Sequence, residues 1–186
     1  IIKAGIKDPQ LLFLGIGDHQ VDSAPLQIGQ FESSDALLDK WLTTIFLEGG
    51  GGGNEGESYL LAWYFAGTRT ALDSIEKRGK KGFLFTVGDE PTLKSISAKN
   101  LKEMMGAGEY SNSDALALLD KAKEKYEVYH IHIHQTQAGQ MQSTINGWKE
   151  LMGDHLIVAE RKEEVPEIIA KIVGKRIEVK TDFQML

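Results

Sequence analysis

The sequence predicts an α/β domain built in three layers, a mostly parallel sheet with an antiparallel edge strand and helices on both faces. Three observations predict it. Residues 11–17 form a continuous apolar run and 82–87 a second buried segment, which read as strands buried on both faces, with a third strand at 128–134 and a short fourth at 155–159. The segments between them have helical periodicity, and strands that alternate with helices form parallel sheets. The 186 residues suffice for one domain with a sizeable core, and two would be a squeeze.

The elements follow in order. The first strand, 11–17, stops at Asp18. Residues 24–31 alternate apolar with polar and carry Pro25, which suits an edge strand. Ser34 and Asp35 open a helix as capping residues. Leu37, Leu38, Trp41, Leu42 and Ile45 give that helix an apolar face. It ends in Glu48 and the glycine run 49–53, followed by Asn54-Glu55-Gly56-Glu57-Ser58. Residues 59–70 form a helix that is apolar nearly all round and therefore deeply packed. Strand 82–87 ends in Gly88-Asp89-Glu90-Pro91. Helices over 98–105 and 112–126 follow, the second capped by Asn112 or Ser113. Then come strand 128–134, a helix over 141–152 and the short strand 155–159. A last helix over 165–173 has Pro166 in its first turn and Gly174 as its stop. The domain thus spans 1–174, and 175–186 is a tail that forms a strand or lies on the surface.

Composition excludes several classes. Apolar residues make up 41% and charged residues 26%, ordinary globular usage that argues against disorder. The net charge of −6 argues against a nucleic-acid binder, which needs a basic face. The one concentrated basic run, Lys77-Arg78-Gly79-Lys80-Lys81, reads as a solvated loop before a strand. With no cysteine there is no disulfide, thiolate metal site or thiol nucleophile, which fits a reducing compartment. No apolar run approaches the roughly 20 residues that span a bilayer, and no signal peptide is visible. The expected location is the cytoplasm, that of a host cell for a viral protein.

Ligands of open α/β sheets bind beyond the carboxyl ends of the strands. Three polar loops belong there: Asp18-His19, the glycine loop 49–58, and Gly88-Asp89-Glu90. The glycine run gives up conformational entropy that a plain linker need not. It either brings the backbone close to a ligand or is a flexible surface loop. It is not a phosphate loop, because no Lys-Ser/Thr follows and the loop joins two helices. Its acids favour a hard cation over an anion. Asp89 is an oxygen ligand for Mg²⁺, direct or through water, or else a turn former. His130, His132 and His134 share one strand face, about 7 Å apart from one to the next. They read as core or sheet-end histidines with satisfied hydrogen bonds rather than as a zinc site. No Ser-His-Asp order is visible, and Gly15-Ile16-Gly17 lacks the rest of a dinucleotide fingerprint.

Two stretches carry a resemblance. Gly51-Gly52-Gly53-Asn54 and Thr86-Val87-Gly88-Asp89-Glu90-Pro91 are similar to the second and third metal-binding loops of von Willebrand factor A-type (VWA) domains, approximately "GGGTN" and "LLTDGEP". The order of elements over residues 1–174 also fits. The glycine segment also resembles the glycine-rich loop of VWA-like proteins of tailed bacteriophages and bacteria. The resemblance implies a Rossmann-like sheet and a metal-ion-dependent adhesion site. There Mg²⁺ or Mn²⁺, held by hydroxyls, carboxylates and waters, accepts a carboxylate from a protein partner. Carried over, Asp89 matches the third-loop Asp. Gly53 stands where the family has its Thr ligand, and Asn54, Glu57 or Ser58 would substitute. Asp18 would be an outer member.

The departure lies in the first loop. The family's Asp-x-Ser-x-Ser motif has no counterpart, and Ile1-Ile2-Lys3-Ala4-Gly5 reads as the end of the helix that should follow it. In the family's topology the absent strand lies between strands 11–17 and 82–87. A preceding segment or a strand from another chain is expected to fill that gap. The functional expectation is a cation-dependent protein-binding domain, for adhesion or assembly. Two alternatives stand beside it. One is a metal-dependent hydrolase or nucleotide-binding enzyme using Asp18, Asp89 and Glu90. The other is a phage structural or assembly protein with a vestigial metal site.

Overall fold

The computed structural model describes residues 9–48 and 56–183, the last eight of these by backbone alone. The reading of residues 1–5 as a helix end, and Asn54 with the glycine run, lie outside the described residues. The architecture is a mixed α/β one, with a three-stranded parallel sheet at its centre. Strands β3 (Gly82–Gly88), β6 (Tyr126–Ile133) and β7 (Leu156–Ala159) form it in the order β3-β6-β7. Thr86 is in register with His130, and His130 with Leu156.

The central strand β6 divides the core. Alternation sends Tyr126, Val128, His130 and His132 to one face and Ile131 and Ile133 to the other. The first face meets α2 (Tyr59–Arg69), α5 (Ala115–Lys125) and α6 (Gln142–Met152) in the main cluster, with Leu60, Leu61, Trp63, Leu119 and Trp148. The second face packs Ile131, Ile133 and Ala159 against Val165, Ile168 and Ile169 of α7 (Val165–Phe183). Each such large apolar side chain contributes about 1.5–3 kcal/mol when fully buried. Among the described residues no helix is long and apolar enough to cross a membrane.

Local sequence explains the helices. In α5 the buried residues Ala115, Leu118, Leu119 and Ala122 repeat at i, i+3, i+4 and i+7, one stripe of a 3.6-residue helix. Asp114 caps it by accepting from the Ala117 N–H. The cap is thus neither Ser113 nor Asn112. Asn112 instead accepts from the Ala98 N–H, at the start of α4 (Ala98–Met105), whose own cap is Ser97. A two-residue antiparallel ladder, β4 (Ser95–Ile96) with β5 (Ser113–Asp114), joins the two helix starts.

The N-terminal part corrects the sequence reading. Within the run 11–17, only β1 (Leu14–Ile16) is a strand. It pairs antiparallel with β2 (Leu26–Ile28) in a separate two-stranded sheet and is half-buried. Among the described residues β3 pairs as a strand with β6 alone. The expected antiparallel edge strand therefore exists as half of a hairpin and does not extend the parallel sheet. Helix α1 (Asp35–Thr44) forms as its periodicity predicts, but none of its residues is fully buried. Leu37 and Leu42 are 40% and 50% exposed. A four-residue helix, α3 (Asp73–Glu76), precedes β3, and α7 runs on through Gly174, which does not stop it.

Candidate functional site at the carboxyl edge

The loops that follow β1 and β3 meet at the N-terminus of α2, and short hydrogen bonds join them. The Ser58 N–H donates to the Gly17 carbonyl at 3.3 Å. The Ser58 hydroxyl accepts from the His19 N–H at 2.9 Å and shares a 2.9 Å bond with His19 Nδ1. On the other side, the Glu57 N–H donates to the Pro91 carbonyl at 2.9 Å and the Leu93 N–H to the Glu57 carbonyl at 3.0 Å. Residues 56–58 thus bridge two loops far apart in sequence. Gly56 has a φ of 141°, a conformation that favours glycine, and a side chain there would run into the Pro91 carbonyl.

The loop after β1 is held from a second side. Glu48 accepts from the Ser23 N–H and, at 2.7 Å, from the Ser23 hydroxyl. These bonds hold its carboxyl below the usual range, the hydroxyl contributing most. Within the loop, Asp18 accepts from the Gln20 N–H and Asp22 from the Asp18 N–H at 2.6 Å. Asp18 is 3% exposed. Glu48, before the glycine segment, and Ser58, after it, are therefore tied to the same loop.

The assembled edge is strongly acidic. Burial pushes the Glu57 carboxyl up to about 7, helped by the charges of Glu90, Asp22, Asp18 and Asp89, in that order. Glu57 Oε2 is buried with no hydrogen-bond partner. Burial also raises Glu90, with Asp89 and Asp18 adding to it. No lysine or arginine among the described residues forms an ion pair with Asp22, Glu57, Asp89 or Glu90. Asp89 accepts from the Thr136 hydroxyl at 2.5 Å, which brings in a fourth loop, after β6.

Aromatic rings form the floor. His130 stacks on Trp148, their centroids 3.5 Å apart, and Tyr59 and Trp63 meet Trp148 edge-on. The Trp148 indole N–H donates to the Glu90 carbonyl at 2.9 Å. Burial keeps the Tyr59 phenol protonated, its pKa raised further by Glu57, Asp89 and Glu90. Of the three histidines, His130 and His132 are fully buried and His134 sits beside Glu160 at 3.3 Å. Their hydrogen bonds are only half satisfied. His130 Nδ1 meets the Thr86 hydroxyl and His132 Nε2 the Gly139 carbonyl, but the other nitrogen of each ring has no partner.

Of the residues singled out in the sequence, Asp18, Glu57, Ser58 and Asp89 converge here. Asp22 joins them unannounced, and its spacing of four from Asp18, after a strand, was the available signal. Ser58 has its hydroxyl committed to His19. Asp18 Oδ1 stands 3.9 Å from the same ring nitrogen that Ser58 meets, so the imidazole does not stand between acid and hydroxyl as in a catalytic triad. Among the described residues no group of three or more histidines, aspartates and glutamates closes into a metal-binding set. The donors have the oxygen chemistry a hard cation requires, yet they do not complete its shell. Compared with protein-family models, curated proteins and solved structures, the chain matches none.

Proposed function

We propose that this chain is the body of a VWA-like, Rossmann-like domain that binds a protein partner through a divalent cation at the carboxyl edge of its sheet. The observation that carries the reading is the convergence of Asp18, Asp22, Glu57, Asp89 and Glu90, with Glu57 pushed to about 7 by burial and by like charges. Such an edge attracts Mg²⁺ or Mn²⁺, and a cation with an open position accepts a carboxylate from a partner. Asp89 and Glu57 are the ligands offered by the described residues, with Ser58 and Asp18 shaping the loop beside them. Asn54 belongs to the proposed set through the sequence resemblance alone.

The shell needs further donors, and β3 pairs with β6 alone among the described residues. The proposal therefore includes a strand beside β3, from a preceding segment or another chain. A folded monomer with an intact mass of 20.6 kDa would overturn that part. The proposed setting is the cytoplasm, of a host cell if the protein is viral.

Calorimetric titration of the protein with Mg²⁺ and Mn²⁺, beside an Asp89→Ala variant, tests the cation. Binding by the parent and its loss in the variant support the reading. No binding by either leaves a vestigial edge and favours an assembly role.

A further inference from the structure

We infer that the lobe formed by the β1–β2 hairpin and α1 is a docking surface for a basic amphipathic helix of a partner protein, engaged without any cation. Eleven large apolar side chains are exposed among the described residues, and seven of them lie between Val21 and Leu47. Single exposed leucines are ordinary, but a cluster with a polar rim marks a place where another molecule sits. Phe46 and Leu47 are 57% and 85% exposed. Their backbone is nevertheless held in place. The Gln27 side chain accepts from the Phe46 N–H at 2.8 Å and donates to the Phe46 carbonyl at 2.9 Å. Glu48, next along, is tied to Ser23. A backbone ordered in advance lowers the entropy lost when a partner binds.

Charge selects the occupant. Residues 21–48 carry five acids, Asp22, Glu32, Asp35, Asp39 and Glu48, against Lys40 alone, a net charge of −4 out of the chain's −6. No lysine or arginine among the described residues forms an ion pair with any of the five. On α1, Asp35, Asp39 and Leu42 stand at i, i+4 and i+7, on one side of the helix, and all three are exposed. The last turn of α1 has no basic residue, so the negative end of its dipole is uncompensated. A helix laid along that side meets carboxylates beside a leucine. It needs lysine or arginine interleaved with large apolar residues. A second copy of this chain fits worse, because a symmetric pair would set the same acids against one another.

The test is an anisotropy titration of the full chain, in EDTA, with a labelled synthetic helix that has leucine on one side and lysine on the other. The parent is expected to bind it, and not the same peptide with glutamate in place of lysine. Leu42→Ser with Phe46→Ser, and Asp35→Asn with Asp39→Asn, should each weaken binding about tenfold. The neutralised pair should also flatten the dependence on salt. Leu116→Ser with Asp120→Asn makes the same kinds of change on the exposed side of α5 and should leave affinity as in the parent. No binding by the parent, equal binding by both α1 variants, or self-association of the parent through α1 would overturn the inference. So would binding that requires Mg²⁺, which would move the peptide to the acidic edge. Failure in EDTA leaves the cation reading standing. If an α1 variant does not fold, hydrogen exchange of the parent decides. Slowed exchange confined to residues 37–47 on adding the peptide upholds the surface, and slowing elsewhere refutes it.

Discussion

The phenol oxygen of Tyr59 occupies the space that a side chain on Gly88 would need. The end of β3 thereby lies directly on the first turn of α2, and the acidic loop starts from that contact. Gly88→Ala is expected to cost about 1–3 kcal/mol by overpacking. Tyr59→Phe removes the obstructing oxygen, so the pair of substitutions should cost less than the sum of the two alone. Urea unfolding of the three variants measures this. Additive losses would show that Gly88 is there for another reason.

Glu57 predicts a pH dependence with a definite sign. Its carboxyl rises from 4.5 to about 7 on folding, mainly through burial. A raised acid binds its proton more tightly in the folded state. The stability it contributes is present below 4.5 and lost as pH rises towards 7. The whole shift corresponds to about 3 kcal/mol. Partial solvent access and screening reduce that to about 1–2 kcal/mol. Glu57→Gln should therefore be more stable than the parent at pH 8 and show a flatter profile between pH 5 and 8 in thermal melts. Mg²⁺ should narrow the difference by stabilising the parent alone.

Which parts could be read from the sequence follows from what periodicity reports. Strands β3, β6 and β7 and helices α2, α4 and α6 fall within about two residues of their expected positions, because each is a buried run or a clear stripe. The run 11–17 misled because an apolar stretch shows hydrophobicity and not pairing partner. Gly15 and Gly17 interrupt it, and what forms is a short hairpin strand. Leu37 and Leu42 mark an apolar face on α1 without saying what covers it. Gly174 reads as a stop, but nothing local to a glycine forbids a helix from continuing at a cost of about 1 kcal/mol. At the site, Asp89 and Glu57 were legible because each stands where a buried element meets glycines. Thr136 was not, since its place depends on which loops the fold brings together, and Asp22 offered only its spacing from Asp18.

His130 predicts an acid limb of the opposite sign. Burial holds its pKa well below 6.5, with His132 adding to the effect. The neutral ring's contribution to stability is complete above 6.5 and lost as pH falls below it towards the folded value. One such group contributes a slope of at most about 1.4 kcal/mol per pH unit. His130→Phe keeps a ring against Trp148 and removes the titration, while leaving the Thr86 hydroxyl only its 3.3 Å bond to the Tyr129 carbonyl. It should be less stable than the parent at pH 7 by about 1–2 kcal/mol and lose less between pH 6.5 and 5. Urea midpoints in a Glu57→Gln background isolate this limb from the opposing one. Parallel profiles with and without His130 would mean the ring never resists protonation.

Trp148 links the floor to the acids above it. Its ring stacks on His130 and its indole N–H holds the Glu90 carbonyl. Trp148→Phe retains an aromatic ring and deletes that hydrogen bond, leaving a half-buried acceptor and a small cavity. The expected loss is about 2–3 kcal/mol. Its distribution matters more than its size. If the indole positions the loop after β3, amide exchange at residues 89 and 90 should rise more than at Val128 or Ile131 in the sheet. Mg²⁺ affinity should fall with it. A uniform rise across the sheet and loop, with affinity intact, would make Trp148 a packing residue whose bond to Glu90 has no bearing on the acidic edge.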